Sequence, residues 1–490
     1  MIPTFFHMII TTLLLALLSS ILDARESVRS ALKSNGQLVY NIKQKDVQSI
    51  KGMFDEAEIY SRFRNNNFYY AYVKPDSSHE TQLISAVGAS FVYKSASLNG
   101  FDFNLALYGS QAYFDASRLG SISHLKPGKD VLSRYKYANG GSTSLFAFGQ
   151  ANMRYKLSKT QLTLGRQLVE SFYAKSNDTK MIPNTFDGVV VQTKDIPNTY
   201  LSLAYLTKQK LRDHEKSHSV FMYGDSNSTS GVNRAEWTQN DDSAMHKGLT
   251  YTALKAAGKP TDAPLILVDL KNNSITNLSQ NYSSYVVPEL LAQVMAELNY
   301  KIDFGGFSVS PGMRYIQQFD NGAGAVGGAS IKLKGLSGYK NQNSLNSSML
   351  GLRLVTRFDK FKINLAYTGV ANKSDLVTPW RAFPTNGYTR SMGVYNWRAN
   401  VKSYRLELVY GANSKGMYKD GFIQTSVLYM NGDSAKDETD SMLYYLGYIK
   451  NLKSTPEFQY RVRLGYRDFI GNSEAISSYL DSRFELDYLF

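Results

Sequence analysis

Residues Ser482 to Phe490 alternate without a break: Phe484, Leu486, Tyr488 and Phe490 occupy every second position, with Arg483, Glu485 and Asp487 between them. Successive side chains of a strand point to opposite faces, so this stretch is a strand with one apolar and one charged face. The same alternation recurs along the chain, and the basic residues keep to one parity. Phe458, Tyr460, Val462, Leu464 and Tyr466 oppose Gln459, Arg461, Arg463, Gly465 and Arg467. Leu350, Leu352, Leu354, Thr356 and Phe358 oppose Arg353 and Arg357, and Tyr404, Leu406, Leu408 and Tyr410 oppose Arg405 and Glu407. Phe361, Ile363, Leu365 and Tyr367 alternate with Lys362 and Asn364; Met153 and Tyr155 with Arg154; Leu298, Tyr300 and Ile302 with Asn299, Lys301 and Asp303.

So many one-sided strands need a cover for their apolar faces. In a soluble β-protein that cover is a second layer, and no helix-period segment long enough to provide one follows the N-terminus. Lipid is the other cover. Arg or Lys on a lipid-facing position near the bilayer midplane costs about 2–4 kcal/mol, so the apolar parity faces out and Arg, Lys, Asp and Glu face a wet interior. The slightly polar mean hydropathy fits, because a barrel shows lipid only every other residue. The 35 Tyr, 25 Phe, 36 Gly and 12 Pro suit short strands separated by turns.

The N-terminus reads as an export signal. Met8 to Leu18 is an apolar run, shorter than the roughly 20 residues of a spanning helix and suited to the apolar region of a signal peptide. Ser19, Ser20 and Ala24 are small, and cleavage is expected after Ala24. The segment expected to remain, residues 25–490, carries 55 basic and 40 acidic residues once Asp23 leaves, a net charge of +15. That excess is spread along the strands rather than gathered in a stripe or tail, and export argues against a nucleic-acid partner; anionic solutes fit better. With no cysteine in the chain, disulfides, thiol catalysis and Cys-ligated zinc are excluded.

Short links such as Ser158-Lys159-Thr160, Ile196-Pro197-Asn198 and Phe304-Gly305-Gly306-Phe307 are expected at one edge of the sheet. Long polar stretches, Ala116–Ser142, His214–Ser284, Asp320–Asn346 and Ser374–Ala399, are expected at the other. Short periplasmic turns and long extracellular loops are the asymmetry of outer-membrane barrels. The expectation is therefore an all-β chain: one transmembrane antiparallel barrel, roughly 16 to 18 strands by count, with no second domain and at most a short lead-in at Arg25–Gln48.

Several blocks carry a family resemblance. The closing strand, with Phe484, Leu486, Tyr488 and Phe490, resembles the last strand of bacterial outer-membrane barrels, whose final aromatic is read by the barrel assembly machinery. Gly165–Gln192, Trp380–Ser403, Asp320–Ser330 and Gly338–Leu345 resemble the OprD-type porins, especially versions from the Helicobacter and Campylobacter side, including the Helicobacter outer-membrane proteins called Hof. The resemblance covers most of the chain from about Met153 onward and is looser before Tyr137. It implies an 18-stranded barrel, a monomer or at most a loose trimer, with a narrow pore constricted by inward-folded loops, lined on one wall by arginines and passing small carboxylate-bearing solutes. No cofactor is implied.

The alternation supports an arginine row on its own account, through Arg154, Arg314, Arg353, Arg357, Arg405, Arg461, Arg463 and Arg467. A guanidinium is always charged and grips a carboxylate through two parallel hydrogen bonds. Several in series pass an anion along without deep trapping. For the constriction, the two loop blocks offer Asp178, Lys180, Pro183 and Phe186, and Arg381, Pro384, Tyr388 and Arg390. Lys180 stands where the resembling porins often carry Arg; it keeps the charge and loses the two-pronged grip. His214 and His218 are four apart but lie in the polar R-D-H-E-K-S-H-S, expected as loop without a metalloprotease pattern. No metal site and no catalytic triad emerge. The competing function is a surface barrel acting as an adhesin through its long loops, for which an arginine-lined lumen has no use.

Overall fold

The structure is a computed structural model that describes residues 29–75, 81–115, 131–225, 244–413, 416–452, 454–471 and 477–490. The expected signal segment lies outside the described residues. Eighteen long antiparallel strands close into one barrel. They are β1 (Glu58–Tyr72), β2 (Gln82–Lys94), β3 (Phe101–Asp115), β4 (Ser144–Leu157), β5 (Thr160–Gln167), β6 (Thr185–Thr193), β7 (Thr199–Lys210), β8 (Leu265–Asn272) and β9 (Leu278–Val287). The circuit continues with β10 (Leu291–Tyr300), β11 (Ser308–Asp320), β12 (Ser347–Phe358), β13 (Phe361–Val370), β14 (Lys402–Ala412), β15 (Tyr418–Asn431), β16 (Ser441–Asn451), β17 (Phe458–Phe469) and β18 (Tyr479–Leu489).

Closure is made by the terminal alternation. β18 pairs with β17 on one side and β1 on the other, and Phe490 exchanges backbone hydrogen bonds with Ser61 (3.0 and 2.7 Å), so no strand edge is left open. Phe484 and Phe490 point outward and are exposed, while Tyr488 keeps the same parity but is covered, with its ring stacked 5.6 Å from Phe490. The outward faces carry Phe146, Met153, Leu164, Leu365 and Leu406, each about half exposed, as a lipid-facing surface requires. Aromatic pairs Phe101–Tyr155, Phe304–Phe307, Phe358–Phe361 and Phe361–Tyr410 gather at the short-turn rim, where an interfacial girdle belongs.

The rims are as unequal as expected. Residues 158–159, 194–198 and 301–307 are tight turns on one rim, and residues 321–346 and 371–401 are long connections on the other; of the expected stretch Ala116–Ser142, residues 116–130 lie outside the described residues. One expected long stretch is corrected. His214–Ser284 contains β8 and most of β9, leaving residues 211–264 between β7 and β8, of which 226–243 lie outside the described residues. The reason lies inside: Leu265 and Leu267 of β8 face a dry, loop-filled part of the lumen, so Leu265-Ile266-Leu267-Val268 is apolar on both faces and shows no alternation. β9 reads as polar because Gln280 and Ser284 hold outward positions.

That dry region also corrects the expectation of a uniformly wet interior. Leu206, Leu265, Tyr285, Leu291, Met295, Ile316, Met349 and Val370, from the loop-side halves of β7 to β13, form one buried cluster with Phe221, Trp380 and Trp397 of the loops. Loops that fold inward need a core, and this wall supplies half of it.

Candidate functional site

Two loops meet inside the barrel. Residues 168–184, between β5 and β6, and residues 371–401, between β13 and β14, form an isolated bridge at Ala174 and Arg381. Lys175 N–H donates to Trp380 O (2.9 Å), and the Asn177 side-chain amide donates to Arg381 O (3.2 Å). Asp375 fastens the second loop to its neighbour: its carboxylate accepts from Ile331 N–H (3.1 Å), Ala399 N–H (2.9 Å) and Tyr339 O–H (2.7 Å).

Each loop is clamped by arginines from the wall. Arg64 of β1 donates to Asp178 Oδ1 (2.9 Å) and Met181 O (3.0 Å), and Arg62 donates to Asp178 O (2.9 Å) and Asp487 Oδ1 (2.8 Å). Tyr108 O–H completes the shell of Asp178 at 3.1 Å. Across the lumen, Arg314 donates to Pro384 O (2.7 Å), Asn386 O (2.8 Å) and Glu297 Oε2 (2.7 Å). Arg353 donates to Gly387 O (3.1 Å), Asn299 Oδ1 (2.6 Å) and Glu297 Oε1 (3.2 Å). The two guanidiniums flank the Tyr388 ring at 4.4 and 4.7 Å, a cation–π sandwich that fixes the loop tip.

Between these loops and the wall of β14 to β18 and β1 lies a cavity of about 760 Å³. Eight Arg and three Lys line it against three acidic residues, Glu170, Asp178 and Asp481. Of the expected residues, Arg405, Arg463, Arg467, Asp178, Lys180, Arg381 and Arg390 are brought to this cavity. Several are neutralised in place: Arg463 makes a two-pronged pair with Glu485 (2.8 and 2.7 Å), which also receives Arg461 (3.2 Å) and lies 3.8 Å from Lys180 Nζ. Arg405 donates to Glu407 (2.5 Å).

Two cations differ. Arg390 lies over the Phe383 ring at 4.3 Å and has no ion pair among the described residues. Arg467 donates to Ser441 Oγ (3.2 and 3.1 Å), stacks on Phe469 and has no carboxylate partner among the described residues.

The remaining expected residues lie elsewhere. Arg154 pairs with Asp102 (2.5 Å) near the short-turn rim. Arg357 points inward on β12, and its side chain makes no hydrogen bond among the described residues. Pro183 O accepts from Lys210 Nζ (3.0 Å), and Pro384 offers its carbonyl to Arg314, so both prolines anchor their loops. Phe186 is a correction: it belongs to β6, not to the loop, and is wholly buried in the apolar cluster, because the loop's inward fold places it under the Trp380 core. His214 and His218 are also corrected from polar loop to buried pair. His218 Nε2 lies 2.9 Å from His214 Nδ1, and both are nearly inaccessible. Burial pushes His214 well below the ordinary imidazole value and His218 down to about 4.

Missed were Arg62, Arg64, Glu297 and Glu485. Arg62-Phe63-Arg64 does alternate, so the signal for two inward arginines stood in the chain.

A family model described as "outer membrane porin, OprD family" matches residues 116–466. Similar solved structures include OccAB3 of Acinetobacter baumannii, with a TM-score of 0.67 and 12% identity over 89% of this chain and 99% of that one. OccK9 (OpdG) of Pseudomonas aeruginosa aligns with a TM-score of 0.65 and 15% identity over 90% and 99%. OpdQ of Pseudomonas aeruginosa gives 0.65 and 13% over 90% and 99%. At such identities the likeness speaks for the fold. No curated protein sequence matches.

Proposed function

This chain belongs to the OprD family of outer-membrane porins, and from that premise we propose that its lumen is a narrow diffusion path for small anionic or zwitterionic, carboxylate-bearing solutes. The observation that carries the reading is the charge of the cavity wall, eleven basic against three acidic side chains. A surplus of fixed positive charge in a narrow, weakly screened space raises the local concentration of anions. Glu485, Glu407 and Glu297 hold Arg463, Arg405 and Arg314 in shape rather than reversing the field. Arg390 and Arg467 keep guanidinium faces for a passing carboxylate, which binds through two parallel hydrogen bonds. Two such groups with partial pairing around them allow hand-over without a trap, as permeation requires.

Size selection falls to the paired loops. The Ala174–Arg381 bridge and the arginine clamps hold backbone across the lumen, and the apolar cluster behind Trp380 keeps it from withdrawing. The test is single-channel recording of the purified, folded barrel in a planar bilayer under a salt gradient, with KCl and then with a potassium carboxylate such as potassium glutamate. Discrete steps with a reversal potential on the anion side in both salts are expected. Cation preference overturns the charge argument; no steps from folded protein overturns the pore and favours the surface-binding alternative.

A further inference from the structure

The chain enters the lumen before it builds the barrel. Ser30–Leu32 pairs antiparallel with Leu38–Tyr40, with Ser30 opposite Tyr40 and Leu32 opposite Leu38. The turn between them is closed by Gly36 N–H to Lys33 O (2.7 Å) and Gln37 N–H to the Asn35 side chain (2.9 Å). Its stem is fixed near the short-turn rim. Tyr40 lies 4.4 Å from the ring of inward-facing Tyr60, and Lys94 Nζ is 3.4 Å from the Tyr40 ring centre. Arg29, at the stem, pairs with Glu58, and the turn itself is tied to the wall by Ser34 N–H, which donates to Gly416 O (2.8 Å) in the turn between β14 and β15.

The tip reaches the constriction. Gly36 has φ of +79°, and a side chain there would run into the Arg461 guanidinium and lie 3.4 Å from Thr179 of the inward loop. Asn35 and Gln37 line the same arginine-rich cavity. Beyond Tyr40 the chain returns along the wall, with Gln44 donating to Ser95 O (2.6 Å) and accepting from Arg154 (3.1 Å). Asp46–Val47 then runs parallel to Ser97–Leu98 at the rim.

We propose that residues 29–41 are a resident plug: a two-stranded ribbon in the short-turn half of the pore that narrows the path beneath the loop constriction and presents Asn35 and Gln37 to each passing solute. The inference rests on the pore reading. The loops and their apolar core fill the β7–β13 side of the lumen, so the space left for solute is on the β14–β18 and β1 side, which is where the tip lies against Arg461. Paired strands sit about 4.8 Å apart, so a ribbon with its side chains occupies roughly 10 Å of that cross-section. A two-stranded ribbon is marginal alone, and this one is held by an ion pair, two ring contacts and a few hydrogen bonds, which makes it a low-stability element on a stable wall.

The test compares the intact chain with a variant in which residues 30–40 are replaced by a short Gly-Ser link, both shown to be folded by their heat-dependent gel mobility. Single-channel conductance is expected to rise at least about twofold when a ribbon of this width leaves the lumen; an unchanged conductance from folded variant overturns the plug. A second measurement keeps the hairpin in place. The chain has no cysteine, so Gln37→Cys supplies the sole thiol for a bulky methanethiosulfonate reagent. Stepwise loss of current on labelling is expected, and full current from a barrel shown by mass to be labelled overturns the proposal. Absence of steps from the intact chain would remove the pore reading, and the plug with it; normal steps that ignore both changes would remove the plug alone.

Discussion

Replacing Arg314 by Met removes one clamp of the second loop while keeping most of the side chain's volume. Arg314 donates to Pro384 O and Asn386 O at 2.7 and 2.8 Å and stacks on Tyr388. Hydrogen bonds from a charged donor contribute about 1.5–3 kcal/mol each. Asn386 is exposed to the cavity, so its carbonyl recovers part of that from water. The net local loss is therefore near the lower end, about 3 kcal/mol for the pair. Glu297 is not left as a bare buried charge, because Arg353 (3.2 Å) and the Asn299 amide (2.9 Å) still hold it. The barrel should fold, and the loop tip should open roughly 100-fold more often, since about 1.4 kcal/mol is a factor of ten. The assay is single-channel recording: R314M should show frequent excursions to a higher conductance level, absent or rare in the parent. Arg314→Lys should fall between, because an ammonium keeps the charge but cannot span two carbonyls as a fork. A single level identical to the parent in R314M would refute the clamp and assign the loop's rigidity to Asn396, which bonds Thr385 (2.7 Å), Thr389 and Ser403 (3.1 Å) from within.

Arg390→Gln combined with Arg467→Gln removes two cations that lack a carboxylate partner among the described residues, and the reversal potential should move toward cations; an unmoved potential would place selectivity elsewhere. Glu485→Gln leaves Arg461, Arg463 and Lys180 without their shared anion, so anion preference should rise while thermal stability of the folded band falls, because breaking a buried pair costs about 3–5 kcal/mol. Lowering the pH should loosen the loop segment around His214 and His218. His218 is held at about 4 against an ordinary 6.5, so the folded loop binds fewer protons than the unfolded one. Stability is whole above pH 6.5 and is lost as pH falls toward 4, at about 1.4 kcal/mol per unit for each buried imidazole. Noise that grows below pH 6 and disappears in His214→Gln/His218→Gln is the expected record; equal noise at all pH would sink the assignment. Phe490→Ala removes the aromatic and its stack on Tyr488 while keeping the backbone pair with Ser61, so the folded fraction in the outer membrane should drop with little effect on refolding in detergent, and an equal drop in both would make the residue structural only.

What the chain disclosed in advance depended on what each face meets. Where a strand lies between lipid and water, as β12, β14, β17 and β18 do, the two faces demand opposite chemistry and the alternation is plain to read; the inward parity of Arg353, Arg405, Arg461, Arg463 and Arg467 was visible for that reason. Where a strand lies between lipid and the folded loops, both faces are apolar, and β8 passed for part of a loop. The same cause hid the role of Phe186, which belongs to a core that exists only once Trp380 and Phe221 fold in from residues far along the chain.

The clamps were hidden differently. An inward arginine looks the same in sequence whether it faces a solute or grips a loop carbonyl, and the deciding partners are distant: Arg64 and Asp178 are separated by 114 positions, Arg62 and Asp487 by 425. A row of like charges in a narrow lumen is self-repelling unless something offsets it. Glu297, Glu407 and Glu485 do this by sitting on the same faces as the arginines they neutralise, which divides the row into members that hold the constriction and Arg467, which, like Arg390 of the inward loop, has no carboxylate partner among the described residues and faces the cavity. Selectivity and rigidity are then separable in principle: substitution at Arg314 or Arg64 should act on the loops, and substitution at Arg390 or Arg467 on the ions.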